Sequence, residues 1–346
     1  MASIKGKLFE CFVYRLLISC GFKTVNPDDL LVYKGGPGLM VQGIGQPHNA
    51  DVLLSPPIQT PFYYPTRLIV ECKCYKEPIG LPQVRNALGL RDDINNFEIV
   101  TEEILKSRKN HRSKKPKFHD MKRYVYQVAV ASIDGYKSTA YPFAKAHRIP
   151  LISFSESVMF DGIRRAITDL DNVAKKDDDL GQKISSRIGK IMNSPEICYD
   201  IDNLCCDEWN TYISEIESIE KRITIGLLDD GTIIFLLQVE ECESFAFFNS
   251  EHDGCTIHWF NKDDSSWILA NEGKYYCFEL PRELYSEWKQ SVGEQRRNAL
   301  KLKQDHFSKI ILFHKTGDVG ENISIIHLSK EFMSQAEARL DEQDEN

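Results

Sequence analysis

A short apolar run in the first half of the chain carries two opposite charges. The segment LIVECKCY, residues 68–75, predicts a β-strand, in which every second side chain lies on the same face. Glu71 and Lys73 would then lie side by side, flanked by Ile69 and Tyr75, with apolar and sulfur-bearing residues opposite. A strand that is apolar on both faces is usually central and covered, where isolated charges are costly. The pair therefore indicates a binding partner or a chemical role.

A carboxylate precedes this strand in a second apolar segment. NADVLL predicts a short strand that contains Asp51. If the two strands pair across the proline-rich loop between them, Asp51 faces Glu71. Two carboxylates this close repel unless a divalent cation lies between them, and Mg²⁺ accepts carboxylates, a backbone carbonyl and several waters. Lys73 beside such an ion could orient or deprotonate a water and offset negative charge on a phosphate.

The elements around these residues predict one α/β domain with a mixed sheet over residues 1–155. GKLFECFVYRLLISCGF predicts a helix that ends at Gly21 and carries Glu10 near its start. A Gly-rich stretch, YKGGPGLMVQGIGQPHN, separates it from the strand at ADVLLS, and LPQVRNALGLRDDINNF predicts the next helix. From residue 124, a strand, a helix and the strand PLISFS predict a crossover that joins parallel strands.

The rest of the chain has a different pattern. Residues 156–200 predict a helical connector, and residues 201–346 predict a second, α+β domain with mostly antiparallel strands. Turns at Asp230-Gly231 and Glu272-Gly273 predict hairpins, and one helix is expected over about 282–303.

Charge is divided unequally between the two parts. The whole chain has a net charge of -8, but residues 1–155 carry 22 Lys and Arg against 13 Asp and Glu. The remaining residues carry 21 against 38. Such asymmetry indicates contact with nucleic acid by the first part only. The acidic part could regulate, oligomerise, bind a protein partner, or be an ordinary solvated surface.

A basic segment lies within the positive part. In KSRKNHRSKKPK, residues 106–117, seven of twelve residues are Lys or Arg. The segment is either a solvated loop or a contact for the phosphate backbone, which would bind without sequence preference and lose affinity steeply with salt. The candidate nucleic-acid contacts are Lys106, Arg108, Lys109, Arg112, Lys114, Lys115 and Lys117.

Together these segments resemble the PD-(D/E)XK nuclease superfamily, and most closely its Mrr-like restriction endonuclease branch. The resemblance covers about the first 155 residues: the opening helix, the acid in NADVLL, the E-x-K in VECKCY, the following helix and the later strand-helix-strand. It implies a restriction-endonuclease-like mixed sheet flanked by helices. Ala50 stands where the name of the motif has Pro, which leaves the carboxylate in place.

The resemblance also implies roles for individual residues. Asp51 and Glu71 would bind Mg²⁺ or Mn²⁺ with help from the Cys72 carbonyl, and Lys73 would act in catalysis. Glu10 matches an acid on the first helix of many members. Gln83, or alternatively Arg85, matches a residue on the following helix.

The implied activity is that of a metal-dependent DNA endonuclease. It would act on double-stranded DNA, in restriction or defence against foreign DNA, as a homodimer or larger assembly that can cut both strands. Two alternatives remain open: a non-catalytic nucleic-acid-binding module that recruits a protein through the acidic half, and an RNase or repair nuclease on the same fold.

Further patterns bear on location. No segment approaches 18 consecutive apolar residues, and the start MASIKGKLFECF lacks the order of a secretory signal. The ten cysteines include no Cys-x-x-Cys pair and are expected to be reduced. We therefore expect a cytoplasmic protein without membrane contact.

Overall fold

The chain divides into two compact units. Met1–Val13 with Phe22–Glu156 form the first unit, and Tyr14–Gly21 with Ser157–Asn346 form the second. Both units combine helices with β-sheet, so the protein is a mixed α/β structure. The computed structural model describes residues 3–35, 38–59, 64–97, 106, 124–155, 157–193, 204, 206–240, 254–259, 266–289, 295–314 and 323–344.

The first unit contains a five-stranded mixed sheet with the charged strand at its centre. Its strands, in spatial order, are β1 (Lys23–Thr24), β5 (Val52–Ser55), β6 (Thr66–Lys73), β7 (Val125–Ser132) and β8 (Leu151–Ser153). β5 pairs with β6 antiparallel, whereas β6, β7 and β8 pair in parallel. Helix α3 (Ala140–His147) connects β7 to β8, so the predicted crossover is confirmed.

Two helices predicted from apolar spacing are also confirmed. Helix α1 (Ile4–Ser19) buries Phe9 and Phe12, whose rings lie 5.6 and 5.4 Å from the ring of Phe154. Gly21 follows it with φ 88°, a left-handed conformation that suits the end of a helix. Helix α2 (Leu81–Asn95) has a proline in its first turn and buries Val84, Ala87 and Ile94.

The Gly-rich stretch contains a second sheet that the sequence did not predict. Strands β2 (Val32–Lys34), β3 (Leu39–Val41) and β4 (His48–Ala50) form an antiparallel sheet. Each strand has only three residues, too few for alternation to be read above the surrounding glycines. The sequence pattern predicted no elements in this stretch.

A side chain of α2 holds the loop between β3 and β4. Asp93 Oδ2 lies 2.6 Å from His48 Nε2, and Asp93 Oδ1 accepts a hydrogen bond of 3.1 Å from the backbone N–H of Gly45. A Cβ atom on Gly43 would lie 2.1 Å from Asp93 Oδ2. The loop can approach the helix this closely only because residue 43 has no side chain.

The second unit begins with helices. A short 3-10 helix (Val158–Phe160) leads into α4 (Asp161–Ala174) and α5 (Asp178–Met192), which lie within the range predicted to be helical. Asp177 caps α5, because its carboxylate accepts hydrogen bonds from the backbone N–H groups of Asp179 and Leu180. Helix α6 (Asp207–Glu220) follows and contacts α4.

A seven-stranded sheet forms most of the second unit, and every adjacent pair in it is antiparallel, as predicted. The two predicted hairpins are present. Glu272 (φ 48°) and Gly273 (φ 73°) both take the left-handed conformation that a two-residue hairpin turn requires. The strands, in spatial order, are β11 (Thr256–Trp259), β12 (Ser266–Asn271), β13 (Lys274–Glu279), β10 (Ile233–Val239), β9 (Ile223–Leu228), β14 (Lys309–Phe313) and β15 (Ile323–His327).

The two edges of this sheet meet at one point. The backbone N–H of Cys255, just before β11, donates to the carbonyl of His327 at 2.8 Å, and Ser329 N–H donates to the carbonyl of Cys255 at 2.8 Å. A Cβ atom on Gly254 (φ 102°) would lie 2.7 Å from the oxygen of His327, so glycine permits this approach. The sheet therefore curls until its edges bond to each other.

Helices of the second unit differ from the prediction at one place. The single helix expected over about 282–303 is instead α7 (Arg282–Lys289) and α8 (Gln295–His306), and residues 290–294 lie outside the described residues. Helix α9 (Lys330–Asp344) follows β15. In the part of the chain that the structure describes, no helix is both long and apolar enough to cross a membrane.

A buried ion pair belongs to the same unit. Arg15 Nε and Nη2 donate to the two carboxylate oxygens of Glu220 at 2.7 and 2.6 Å. The two side chains are only 2% and 3% exposed. Such a bidentate pair satisfies both charges in a place where either one alone would be costly.

Candidate active site

Asp51 lies where the chain leaves one sheet and enters the other. Ala50 ends β4 in the three-stranded sheet, and Val52 begins β5 in the five-stranded sheet. The register pairs Val52 with Val70, which places Asp51 opposite Glu71 one position further on. The predicted pairing of the two strands is thus confirmed, although Asp51 itself lies between strands and not within one.

A hydrogen bond holds the Asp51 carboxylate in place. Its Oδ2 accepts from the backbone N–H of Cys72 at 2.9 Å. This bond extends the hydrogen bonding of β6 beyond Val52, the first residue of β5 that pairs with it. The backbone of two strands therefore fixes the position of this acid.

Lys73 contacts both acids. Its Nζ donates to Glu71 Oε2 at 2.8 Å and lies 3.7 Å from Asp51 Oδ2. The side chains of Asp51, Glu71 and Lys73 are 16%, 18% and 23% exposed, so the group is open to solvent on one side. Burial lowers the pKa of Lys73, but the carboxylates of Glu71 and Asp51 outweigh it and raise that pKa overall. Lys73 is therefore a cation at neutral pH.

Asp51 and Glu10 hold protons more strongly than isolated carboxyls do. Burial, followed by the charge of Glu71, raises the pKa of Asp51. Burial and then the charge of Asp51 raise the pKa of Glu10 to about 7, against the opposing effect of Lys73. Glu10 on α1 is thus close enough to belong electrostatically to the same group, and it can exchange a proton near neutral pH.

The oxygens present fit a hard divalent cation. Within the described chain, neither Asp51 Oδ1 nor Glu71 Oε1 accepts a hydrogen bond, so one oxygen of each acid is available. No group of three or more His, Cys, Asp or Glu side chains among the described residues is arranged to hold a metal. A cation here would use the two carboxylates, a backbone carbonyl such as that of Cys72, and waters, which is a set that Mg²⁺ accepts. The Cys72 thiol is buried, and burial raises its pKa well above the usual range, so the sulfur is an unsuitable ligand.

Gln83 lies in the first turn of α2. Its Oε1 is buried and has no hydrogen-bond partner in the described residues, which leaves an acceptor available for another group. No hydrogen bond of the described chain joins Gln83 to Asp51, Glu71 or Lys73. The alternative residue, Arg85, is exposed, with its guanidinium 5.7 Å from the ring centroid of Phe143.

Sequence reasoning did not identify Asp134. β7 pairs with β6 so that Ser132 lies beside Lys73, and the backbone N–H of Ile133 donates to the Lys73 carbonyl at 3.3 Å. Asp134 follows directly, and its Oδ2 is buried without a hydrogen-bond partner in the described chain. Its place after the carboxyl end of a parallel strand was the available signal, because ligands of open α/β sheets bind at that edge.

Most of the basic segment lies outside the described residues. Lys106 is described and exposed. The other candidate contacts lie outside the described residues: Arg108, Lys109, Arg112, Lys114, Lys115 and Lys117.

Comparison with known proteins adds little. No family model and no curated protein matches the chain. A solved structure titled as a protein of unknown function, AF1548, is 13% identical to it, with a TM-score of 0.27. The likeness covers 54% of this chain and 97% of that chain, and at this TM-score it does not establish a shared fold.

Proposed function

We propose that the first unit is a metal-dependent endonuclease of the PD-(D/E)XK type that hydrolyses phosphodiester bonds in DNA. One observation carries the proposal: the side chains of Asp51, Glu71 and Lys73 lie together in a partly exposed place. Lys73 Nζ lies 2.8 Å from Glu71 Oε2 and 3.7 Å from Asp51 Oδ2. Burying two acids and an amine on or beside the central strand of a sheet costs free energy, so their presence there indicates a function. Together these groups suit phosphate chemistry.

Each residue of the site has a separate role in the proposed hydrolysis. A divalent cation, when bound by Asp51 and Glu71, would supply Lewis-acid stabilisation of negative charge. Lys73, kept protonated by its neighbours, offers a positive charge to the phosphate as its negative charge increases. Glu10, with a pKa of about 7, can accept the proton that an attacking water must lose.

The substrate and role follow from charge and from the resemblance. The positive balance of residues 1–155, 22 basic against 13 acidic residues, supports contact with the DNA backbone. We assign this contact to the basic segment 106–117. The role in restriction or defence rests on the resemblance alone, and a homodimer or larger assembly is expected because cutting both strands takes two active sites.

Cleavage of plasmid DNA tests the proposal. Purified full-length protein is incubated with plasmid in Mg²⁺ or Mn²⁺, beside the variants Asp51→Asn and Lys73→Met. We expect nicking by the wild type and a loss of about 100-fold or more in each variant, as when one transition-state contact is removed. Lys76→Met is the matched control, because Lys76 is exposed three residues beyond Lys73.

The possible results separate the alternatives. Nicking that survives both Asp51→Asn and Lys73→Met would reject the assigned site. DNA binding without cleavage in either metal would favour a non-catalytic module. Cleavage of RNA, but not of plasmid, in the same assay would identify an RNase.

A further inference from the structure

A lysine lies buried among aromatic rings in the second unit. Lys303, on α8, is 9% exposed. Its Nζ lies 5.7 Å from the ring centroid of Trp267 and 5.1 Å from that of Phe332. In the described part of the chain no Asp or Glu pairs with it, and burial lowers its pKa to about 8. At neutral pH the enclosure therefore contains a cation that has no counter-ion among the described residues.

Two indole N–H donors of the same aromatic cluster have no acceptor among the described residues. Trp259 and Trp267 are direct partners across β11 and β12, and both pack against Trp288, at 4.5 and 5.4 Å between ring centroids. The indole Nε1 atoms of Trp259 and Trp267 are buried without a hydrogen-bond partner among the described residues. Buried donors of this kind are rare in native proteins, and each one calls for an acceptor.

The neighbouring His258 supplies no negative charge to balance Lys303. His258 Nε2 lies 3.0 Å from Thr256 Oγ1, and its ring lies 5.0 Å from that of Phe332. Burial, followed by the charge of Lys303, lowers the pKa of His258 to about 3, so the ring is neutral at physiological pH. Within the described chain, the cluster thus combines one positive charge without an acidic partner and two N–H donors without acceptors, surrounded by aromatic rings.

We propose that this cluster, formed by Lys303, Trp259, Trp267, Trp288 and Phe332, binds the anionic group of a small molecule, a carboxylate or a phosphate. Lys303 supplies the charge, and the neighbouring indole N–H groups donate hydrogen bonds to the same ligand. The rings pack against its apolar part. Because Lys303 retains 9% exposure, the cluster is not closed to solvent. This site lies entirely in the second unit and does not depend on nuclease activity.

Intrinsic fluorescence provides a direct test. Three of the four tryptophans of the chain, Trp259, Trp267 and Trp288, belong to the cluster. Full-length protein is titrated with inorganic phosphate and, separately, with benzoate, at constant ionic strength and with chloride as the reference anion. We expect a saturable change with at least one probe. Lys303→Met should weaken binding about 10- to 100-fold, the loss expected for one charge-assisted hydrogen bond.

Matched variants distinguish recognition from folding. Lys301→Met, on the same helix but exposed, should bind as the wild type does. Lys303→Arg keeps the charge and should keep binding within about tenfold. Trp267→Phe keeps a ring and removes the N–H, so it should weaken binding while the circular dichroism spectrum stays unchanged. If Lys303→Met does not fold, Lys303→Arg and Trp267→Phe still test the site.

Several results would overturn the proposal. A wild type that responds to neither probe, or only linearly, has no such site. Equal affinities in the wild type, Lys303→Met and Trp267→Phe would mean that the anion binds elsewhere. Neither result would affect the plasmid assay, so failure of this site is distinguishable from failure of the nuclease.

Discussion

The carboxylate of Asp51 accepts a hydrogen bond of 2.9 Å from the backbone N–H of Cys72. Asp51 therefore stays beside Glu71 despite their mutual repulsion, which prepares the pair for the cation of the proposed nuclease. Such preorganisation lowers the cost of binding.

Metal binding should therefore stabilise the protein measurably. At a Mg²⁺ concentration ten times Kd, the unfolding free energy should rise by about 1.4 kcal/mol. Asp51→Asn keeps the acceptor for Cys72 but removes the charge, and should lose this stabilisation. Thermal unfolding with and without Mg²⁺ measures it, with Glu77→Gln, an 81% exposed position, as the control. Equal stabilisation of the wild type and Asp51→Asn would place the cation elsewhere.

Glu10 should make stability depend on pH in metal-free buffer. Its pKa is raised from 4.5 to about 7 in the folded protein, so the folded state binds the proton more tightly than the unfolded state. This contribution is complete below pH 4.5 and is lost as pH rises through 7. Relative to Glu10→Gln, the wild type should lose about 1–3 kcal/mol across this window. Denaturant unfolding at several pH values measures the difference. Plots of unfolding free energy against pH that run parallel for the two proteins would contradict the prediction.

The Arg15–Glu220 pair should be essential to the stability of the second unit. Replacing either residue leaves the other charge buried, since the side chains are 2% and 3% exposed. We expect Arg15→Met and Glu220→Gln each to cost about 3–5 kcal/mol, and the double variant to cost less than the sum. Denaturant unfolding of the four proteins gives the coupling energy. Additive losses would show that the two charges do not depend on each other.

Two glycine substitutions should have opposite effects. Gly43→Ala places a methyl group against Asp93 Oδ2 and should destabilise by about 1–3 kcal/mol. Gly89→Ala, on α2 with no atom within 4 Å of the added Cβ, should stabilise by about 0.5–1 kcal/mol. Thermal unfolding compares the pair. A neutral Gly43→Ala would mean that the loop moves away from α2 without cost.

The basic segment should contribute to DNA binding through contacts with phosphates. Replacing Lys114, Lys115 and Lys117 with Ala should weaken DNA binding and flatten the dependence of log K on log salt by up to about 2.7, if each residue contacts one phosphate. Fluorescence anisotropy of labelled duplex DNA at several salt concentrations measures the slope. An unchanged slope would mean that these residues do not contact DNA.

Long elements with clear periodicity were predictable from the sequence. α1, α2 and the crossover from β7 to β8 each bury a regular apolar pattern, and the E-x-K strand is central as its two apolar faces suggested. The three-stranded sheet was not predictable, because its strands are too short to show alternation. Asp51, Glu71 and Lys73 were found because one pairing of two strands brings them together.

The missed groups depend on tertiary contacts that local patterns do not show. The position of Asp134 after a strand of the predicted crossover was available from the sequence, but the burial of its Oδ2 without a partner in the described chain follows only from packing. Lys303 was missed for a similar reason: in sequence it is one of several charges on α8, and its isolation among rings follows only from packing.

The contact between the two edges of the seven-stranded sheet has a consequence for the behaviour of the protein in concentrated solution. An open edge strand offers unpaired backbone groups on which another chain can add a strand, the first step toward fibrils. Where Cys255 bonds to His327 and Ser329, those groups are already engaged within the molecule. Opening this short junction would free these backbone groups, so substitutions at Gly254 should promote self-association before they cause global unfolding.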